Sequence, residues 1–253
     1  MKIKGAGALV TGGGSGLGEA TARLLAERGA VVHVFDRNAE AASRVATDIG
    51  GVAVSGDVTS EIEAAAALDA ANTAGDGLRI LVNCAGIGTA GRILGREGPM
   101  ALADFETVIR VNLIGTFNMM RLAAERMAAL DEREDKARGV IVNTASVAAF
   151  EGQIGQAAYS ASKGGIVSMA LPAAREFSRF GIRVNTIAPG IFLTPLLHTL
   201  PAEAQESLAA AIPYPSRLGD PAEFADAVRF AIENQYLNGE VIRLDGAIRM
   251  QPK

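Results

Sequence analysis

Apolar positions fall along this chain in two rhythms. Short, nearly continuous aliphatic runs occur at "GALV" (7–10), "AVVHVF" (30–35), "GVAVS" (51–55), "RILVN" (79–83), "GVIVNT" (139–144), "IRVNTIA" (182–188) and "GEVIRL" (239–244). Between them lie longer stretches with apolar residues at helical spacing, over 17–28, 39–48, 60–73, 104–130, 156–179 and 221–232. Runs without strict alternation, bounded by Gly, Asn or Asp, predict strands covered on both faces. Strands alternating with helices predict βαβ units and a parallel sheet. With right-handed crossovers, the pattern predicts a single α/β domain over 1–253, a Rossmann-type doubly wound sheet of about seven strands.

Two segments break the rhythm. The charge run "DEREDKARG" (131–139) reads as a solvated loop after a long helix. The stretch 189–221 is proline-rich with an apolar middle and follows the sixth predicted strand. Loops after strand C-termini form the binding crevice of such sheets, so residues 191–216 are expected to be a substrate lid.

Composition narrows the chemistry. The 253 residues are 49% hydrophobic and only 5% aromatic, without tryptophan, so small and branched aliphatics must fill the interior. A net charge of −4 is a poor match for nucleic acid or an anionic membrane. Cys84 is the single cysteine, which excludes an internal disulfide and a cysteine-based zinc site. The two histidines, His33 and His198, are far apart, and no metal site is expected; His33 reads as core and His198 as lid surface. The N-terminus lacks a signal-peptide core or an Arg/Ser-rich presequence, and no window approaches a membrane span. The expected protein is soluble and cytoplasmic.

"TGGGSGLG" (11–18) joins the first strand to the first helix. Gly12, Gly16 and Gly18 have the spacing G-x3-G-x-G, which differs from the strict G-x-G-x-x-G, but the physics is shared. Glycine permits positive φ and lets a pyrophosphate approach the backbone. The helix opening near Gly16, with Ser15 and Leu17 beside it, aims unpaired N–H groups at that phosphate. Asp36, at the end of the second strand, lies 18 residues past Gly18, near the distance expected for the residue that meets an adenosine ribose. A carboxylate there repels a 2′-phosphate and favours NAD over NADP; Arg37 argues the other way. Asp36 could also cap the next helix. Asp57 and Val58 follow the third strand, where a carboxylate can accept from an adenine amino group. Asn83, Cys84, Ala85 and Gly86 follow the fourth, where small residues leave room for a sugar.

"YSASK" (159–163) places Tyr159 and Lys163 one helical turn apart. The pair is either an ordinary surface contact or a tyrosine whose pKa is lowered by the neighbouring ammonium. Ser146, thirteen positions upstream, favours the second. In "TIAPGIFLT" (186–194), Thr186, Pro189, Gly190, Phe192 and Thr194 can fix a nicotinamide carboxamide.

Together with Asn112 in "VNLIGTFN", these motifs resemble the short-chain dehydrogenase/reductase family along essentially the whole chain. NCAG at 83–86 stands where NNAG is commoner, and "LDGA" (244–247) replaces the usual DGG. "NTASVAAFEGQIGQAAYSASKGGIV", "YPSRLGDPAEFA" and "LNGEVIRLDGAIRMQP" are similar to its 3-hydroxyacyl-CoA dehydrogenase type 2 group, also called 17β-hydroxysteroid dehydrogenase type 10. The resemblance implies NAD as cofactor, a 3-hydroxyacyl-CoA as substrate and a homotetramer. It also implies that Tyr159 is the general base, Ser146 holds the substrate oxygen, Lys163 binds the nicotinamide ribose, and Asn112 supports a water linked to the lysine. Alternatives within the same machinery are a 3-ketoacyl thioester reductase and a hydroxysteroid or secondary-alcohol dehydrogenase. An NAD-binding scaffold subunit is the non-enzyme alternative, and the presence of both Tyr159 and Lys163 argues against it.

Overall fold

The computed structural model describes residues 1–198 and 201–252. Every predicted strand forms. They are β1 (Gly7–Thr11), β2 (Val31–Asp36), β3 (Val52–Ser55), β4 (Leu78–Asn83), β7 (Gly139–Thr144), β8 (Ile182–Pro189) and β9 (Val241–Leu244), with a small hairpin, β5 (Leu94–Gly95) and β6 (Gly98–Pro99), inserted after β4. The large sheet runs β3-β2-β1-β4-β7-β8-β9, parallel throughout. From β1 the chain builds outward to β2 and β3, then returns to the other side of β1 with β4. The carboxyl ends of β1 and β4 therefore flank a switch point, where a crevice must open.

Alternate residues of each strand feed two separate cores. Ala8, Val10, Ile80, Val82, Val140 and Val142 pack with Leu25, Val45, Phe224 and Val228, from α1 (Gly16–Glu27), α2 (Ala39–Ile49) and α9 (Pro221–Glu233). Leu9, Leu78, Leu81 and Ile141 pack on the opposite face with Ala64, Leu68, Met119 and Met127, from α3 (Glu61–Asn72) and α5 (Gly115–Ala128). This two-sided burial is the physical origin of the unbroken aliphatic runs.

Local sequence sets several boundaries. Asn38 caps α2, its Oδ1 accepting from Ala41 N at 3.0 Å, and Gly50 ends that helix in the left-handed conformation. In "GDPAEF" Asp220 and Glu223 form a reciprocal capping box around Pro221 at the start of α9. The predicted helix 104–130 is two helices, α4 (Leu102–Ile109) and α5, joined by a π-helical turn at Arg110–Ile114. The run 131–139 is the expected loop, but it is anchored. Arg133 pairs with Asp76, and buried Arg79 donates to the carbonyls of Asp131 and Arg138 at 2.7 and 3.1 Å. The expected lid contains α7 (Pro195–His198) and α8 (Ala202–Ala210). Thr199 and Leu200 lie outside the described residues, as does the side chain of His198. His33 is buried in β2, as expected.

Arg183, in β8, is a buried cation with no carboxylate partner among the described residues. Its guanidinium donates to the carbonyls of Ala231 (2.8 Å) and Ile232 (2.6 Å), at the end of α9, and to Leu237 O (2.9 Å). The negative end of the helix dipole stands in for an anion, while burial lowers the guanidinium pKa to about 10. Arg183→Leu would remove the guanidinium from Ala231 O, while Ile232 O keeps the Met1 ammonium (2.9 Å) and Leu237 O keeps Asn185 Nδ2 (3.0 Å). The substitution is expected to cost about 3 kcal/mol and to lower Tm by roughly 6–12 °C for a chain of this size, read by thermal unfolding followed by circular dichroism.

Candidate active site

At the switch point, Thr11 ends β1 with its hydroxyl turned to the loop after β4. Its Oγ1 accepts from Cys84 N and Ala85 N at 3.2 and 3.1 Å. Gly12 follows with φ 63°, and a Cβ there would stand 2.8 Å from Ala85 N. A Cβ on Gly18 would collide with Gly12 O. These glycines are needed for backbone packing as well as for ligand approach. Ser15 takes the N-cap position of α1 without a side-chain cap bond.

Two connected cavities follow the carboxyl edge of the sheet. The first, about 510 Å³, runs from Asp36 and Arg37 past Gly12, Ser15, Gly16, Leu17 and Gly18 to Tyr159 and Thr194. The second, about 340 Å³, is walled by Ser146, Tyr159, Lys163, Pro189, Gly190 and Phe192. They share Leu17, Cys84, Gly86, Ile87, Tyr159 and Thr194. A larger groove of about 670 Å³ between α8 and the start of α9 contains none of the predicted site residues.

Asp36 sits at the mouth of the first cavity. Its Oδ2 accepts from Gly14 N at 3.0 Å and its Oδ1 from Asn38 N at 2.9 Å. The helix cap that Asp36 could have supplied comes instead from Asn38. Arg37 Nε lies 3.7 Å from Asp57 Oδ2. Asp57 is therefore at the rim, facing Arg37 and accepting from Thr59 N at 2.8 Å, while Gly56 and Val58 form the wall.

Besides Asp57, at the rim, three predicted residues line neither cavity: Asn83, Thr186 and Asn112, the last of which is described below. Asn83 is buried against β7, its Nδ2 donating to Asn143 Oδ1 at 2.9 Å; this side chain serves strand pairing. Thr186 is wholly buried inside β8. Both are residues of predicted strands, and both pair with Asn143 of β7 inside the sheet. Phe192 lines the second cavity and its ring also makes a T-shaped contact with Phe224, with centroids 6.3 Å apart. Cys84 lines both cavities, but burial pushes its thiol up to about 11, consistent with a small packing residue.

The polar end of the site is assembled by α6 (Ala157–Phe177). Lys163 is buried; its Nζ donates to Thr144 O at 2.8 Å and lies 5.7 Å from the centroid of the Tyr159 ring. Burial lowers its pKa to about 8. Tyr159 departs from expectation. Burial raises the phenol above its ordinary value, and the opposing pull comes from the Ser146 hydroxyl rather than from Lys163. Enclosing both groups costs each its charged form, so an ammonium already weakened by burial does not dominate its neighbour. Ser146 also accepts from Ala148 N at 3.1 Å, which fixes the turn after β7.

Asn112 lies in the π-helical turn with no exposed surface. Its Oδ1 accepts from Ile87 N (2.8 Å), and its Nδ2 donates to Ile87 O (2.9 Å) and Ser162 Oγ (3.0 Å). Both amide protons are spent on protein, so the side chain is a strut between the β4 loop and α6. A Cβ on Gly86 would stand 3.2 Å from Asn112 Oδ1 and 3.5 Å from Lys163 Nζ, which explains the glycine.

Thr11, Val111, Ser162, Gln156 and Met250 belong to the site or its frame and were not singled out from the sequence. Helical spacing could have found Gln156, three positions before Tyr159. Nothing local marks Met250. Among the described residues, no group of His, Cys, Asp or Glu is placed to hold a metal, and no helix is long and apolar enough to cross a membrane.

The glycine cradle, the carboxylate at one end of the cleft and the Ser–Tyr–Lys group at the other fit a nicotinamide dinucleotide. The sequence profile of the short chain dehydrogenases matches residues 6–205. The 3-hydroxyacyl-CoA dehydrogenase type-2 of Bos taurus is 54% identical over 99% of this chain and 97% of its own length; that of Drosophila melanogaster is 52% identical over 99% and 100%. The crystal structure of 3-hydroxyacyl-CoA dehydrogenase type-2 from Mycobacterium avium superposes with a TM-score of 0.95 at 48% identity, covering 98% of both chains. With this architecture and these relatives, the chain belongs to the short-chain dehydrogenase family of nicotinamide-dependent oxidoreductases.

Proposed function

We propose that this enzyme is an NAD-dependent dehydrogenase that oxidises the 3-hydroxyl of a 3-hydroxyacyl-CoA to the ketone, reversibly, and works as a homotetramer. The observation that carries the reading is the continuity of the two cavities, with Asp36 at one end and Ser146, Tyr159 and Lys163 at the other. The relatives' names support the acyl-CoA substrate. Asp36 supports NAD: two backbone N–H groups hold its carboxylate at the cleft mouth, where it would repel a 2′-phosphate, and Arg37 is drawn towards Asp57.

Gly12, Gly16, Gly18, Ala85 and Gly86 offer backbone against the dinucleotide, and Thr194 lies where the two cavities meet. The bound oxidised nicotinamide supplies the acceptor for the hydride that leaves the carbinol carbon. Ser146 donates to the substrate oxygen and keeps it within reach of Tyr159. Tyr159, as phenolate, takes the hydroxyl proton while the C=O bond forms. Lys163, with its pKa lowered by burial to about 8, borders the cavity beside Tyr159 and is placed to meet a ribose. Asn112 keeps α6 and the β4 loop in register beneath the reacting groups. Residues 191–216 close over an apolar acyl chain.

NADH formation is the assay, with NAD or NADP and a panel of 3-hydroxyacyl-CoAs, a hydroxysteroid and a simple secondary alcohol. Preferred turnover of an acyl-CoA with NAD is expected. No turnover of any acyl-CoA rejects the substrate class, and a preference for NADP rejects the role of Asp36. Tyr159→Phe is expected to lower kcat about 10²–10⁴-fold while NADH affinity, read by fluorescence, stays near wild type.

The pH dependence has a definite sign. The base must be deprotonated and its pKa is raised by burial, so kcat/KM for oxidation rises towards alkaline pH. The Ser146 hydroxyl holds that pKa down. Ser146→Ala should therefore lower kcat and move the inflection to higher pH. An inflection that stays in place or moves to lower pH would exclude the Ser146–Tyr159 coupling.

A further inference from the structure

The segment between Ser146 and Tyr159 is strapped to the end of the chain. Arg243, in β9, places Nη1 2.8 Å from Glu151 Oε1, and its guanidinium lies 5.3 Å from the centroid of the Phe150 ring. The same guanidinium donates to Asp245 Oδ2 at 2.9 and 2.6 Å. The second oxygen of Glu151, Oε2, accepts from Met250 N at 3.1 Å, and Arg249 Nε lies 3.3 Å from Oε1. Further along, Gln153 Nε2 donates to Gln251 O at 2.9 Å and Ile154 N to Pro252 O at 3.0 Å.

This is more than a surface ion pair. Arg243 and Glu151 expose only 24% and 22% of their side chains, and four charged groups share one network. Such a network is screened less and ordered better than an isolated exposed pair. The strap also has a product. Met250, which Glu151 holds by its backbone N–H, forms a wall of the cavity that contains Ser146, Tyr159 and Lys163. Methionine is long, apolar and adaptable, a side chain suited to meeting an alkyl chain.

We propose that Glu151 is a positioning residue and Met250 a specificity-determining one: the Glu151–Arg243 clamp fixes the C-terminal tail as a wall of the substrate cavity, and Met250 in that wall limits the length of the substrate's carbon chain. The proposal rests on the reading above that this cavity takes the alcohol substrate. Glu151 touches no reacting atom. It acts through the tail, so its loss alters substrate selection without altering the cofactor cleft, whose lining includes none of these residues.

The test is a double-mutant cycle on chain-length preference. Selectivity is the ratio of kcat/KM for a long against a short 3-hydroxyacyl-CoA, and NADH affinity is read by fluorescence. Met250→Ala is expected to move the ratio about tenfold towards the longer chain, the scale of pocket discrimination for apolar groups. Glu151→Ala should move it the same way, and the double variant no further than the larger single one, because both act on one wall. NADH affinity should stay unchanged throughout, and amide exchange at Met250 should accelerate in Glu151→Ala, read by mass spectrometry. If Glu151→Ala does not fold, Glu151→Gln, which removes the charge but keeps an acceptor, is measured instead.

An unchanged ratio in the Glu151 variant overturns the proposal, as do additive effects, an exchange rate equal to wild type, or a parallel loss of NADH affinity. If wild type turns over no acyl-CoA, the substrate reading has failed by itself. The same cycle, run with secondary alcohols of increasing length, then tests the wall separately.

Discussion

Lys163 puts a positive charge where the protein has least water to offer it. Its ammonium is buried at the end of β7, tied to Thr144 O at 2.8 Å, with its pKa lowered to about 8. Most of the neighbourhood follows from accommodating that group. Gly86 must lack a Cβ to leave space beside it, Asn112 braces the backbone around it, and the Tyr159 ring packs over it. A buried cation that stays protonated needs fixed dipoles, and here a strand-end carbonyl supplies one. The same enclosure raises the tyrosine's pKa. The site thus holds two groups that each resist their charged form, which suits proton exchange better than permanent ionisation.

The sheet explains why this happens at one place. Because β1 lies between β2 and β4, the two halves of the chain part above its carboxyl end. Thr11 then spans the gap, bonding two backbone N–H groups of the β4 loop. The glycines beyond it bring backbone against backbone so closely that side chains are excluded. The two cavities meet across this narrow junction, with Leu17, Cys84 and Gly86 common to both.

The strands were legible because two-sided burial of β1, β4, β7 and β8 favours aliphatic runs, and the partly exposed edge strands β3 and β9 keep the same β-branched residues. The turn glycines, Asp36, Ser146, Tyr159 and Lys163 were legible because each sits at a spacing set by a short local element. What failed depended on depth and parity. Asn83 ends β4 and Thr186 lies within β8, and the sequence run alone does not say which residues of a strand face the cleft and which the sheet. The direction of the Tyr159 shift depends on enclosure by segments far away in sequence. The links of Glu151 to Arg243 and Met250 span 92 and 99 positions, and no periodicity encodes them. The split of the long helix at Arg110–Ile114 was also hidden, because a single π-helical turn interrupts the α-helical bonding without any glycine or proline break between Leu102 and Ile114.

The parallel order of the sheet has a consequence for how the protein comes into being. β1 pairs with β4 across two intervening strands and three helices, and Met250 walls a cavity near a cleft lined by Gly12. Contacts so distant in sequence form slowly, because loop closure must precede them. Local α/β pairs can therefore form before β1 meets β4 and before Glu151 meets Met250. Closure of the second cavity is a late event in folding, because its walls come from segments that must first be brought together over long stretches of chain.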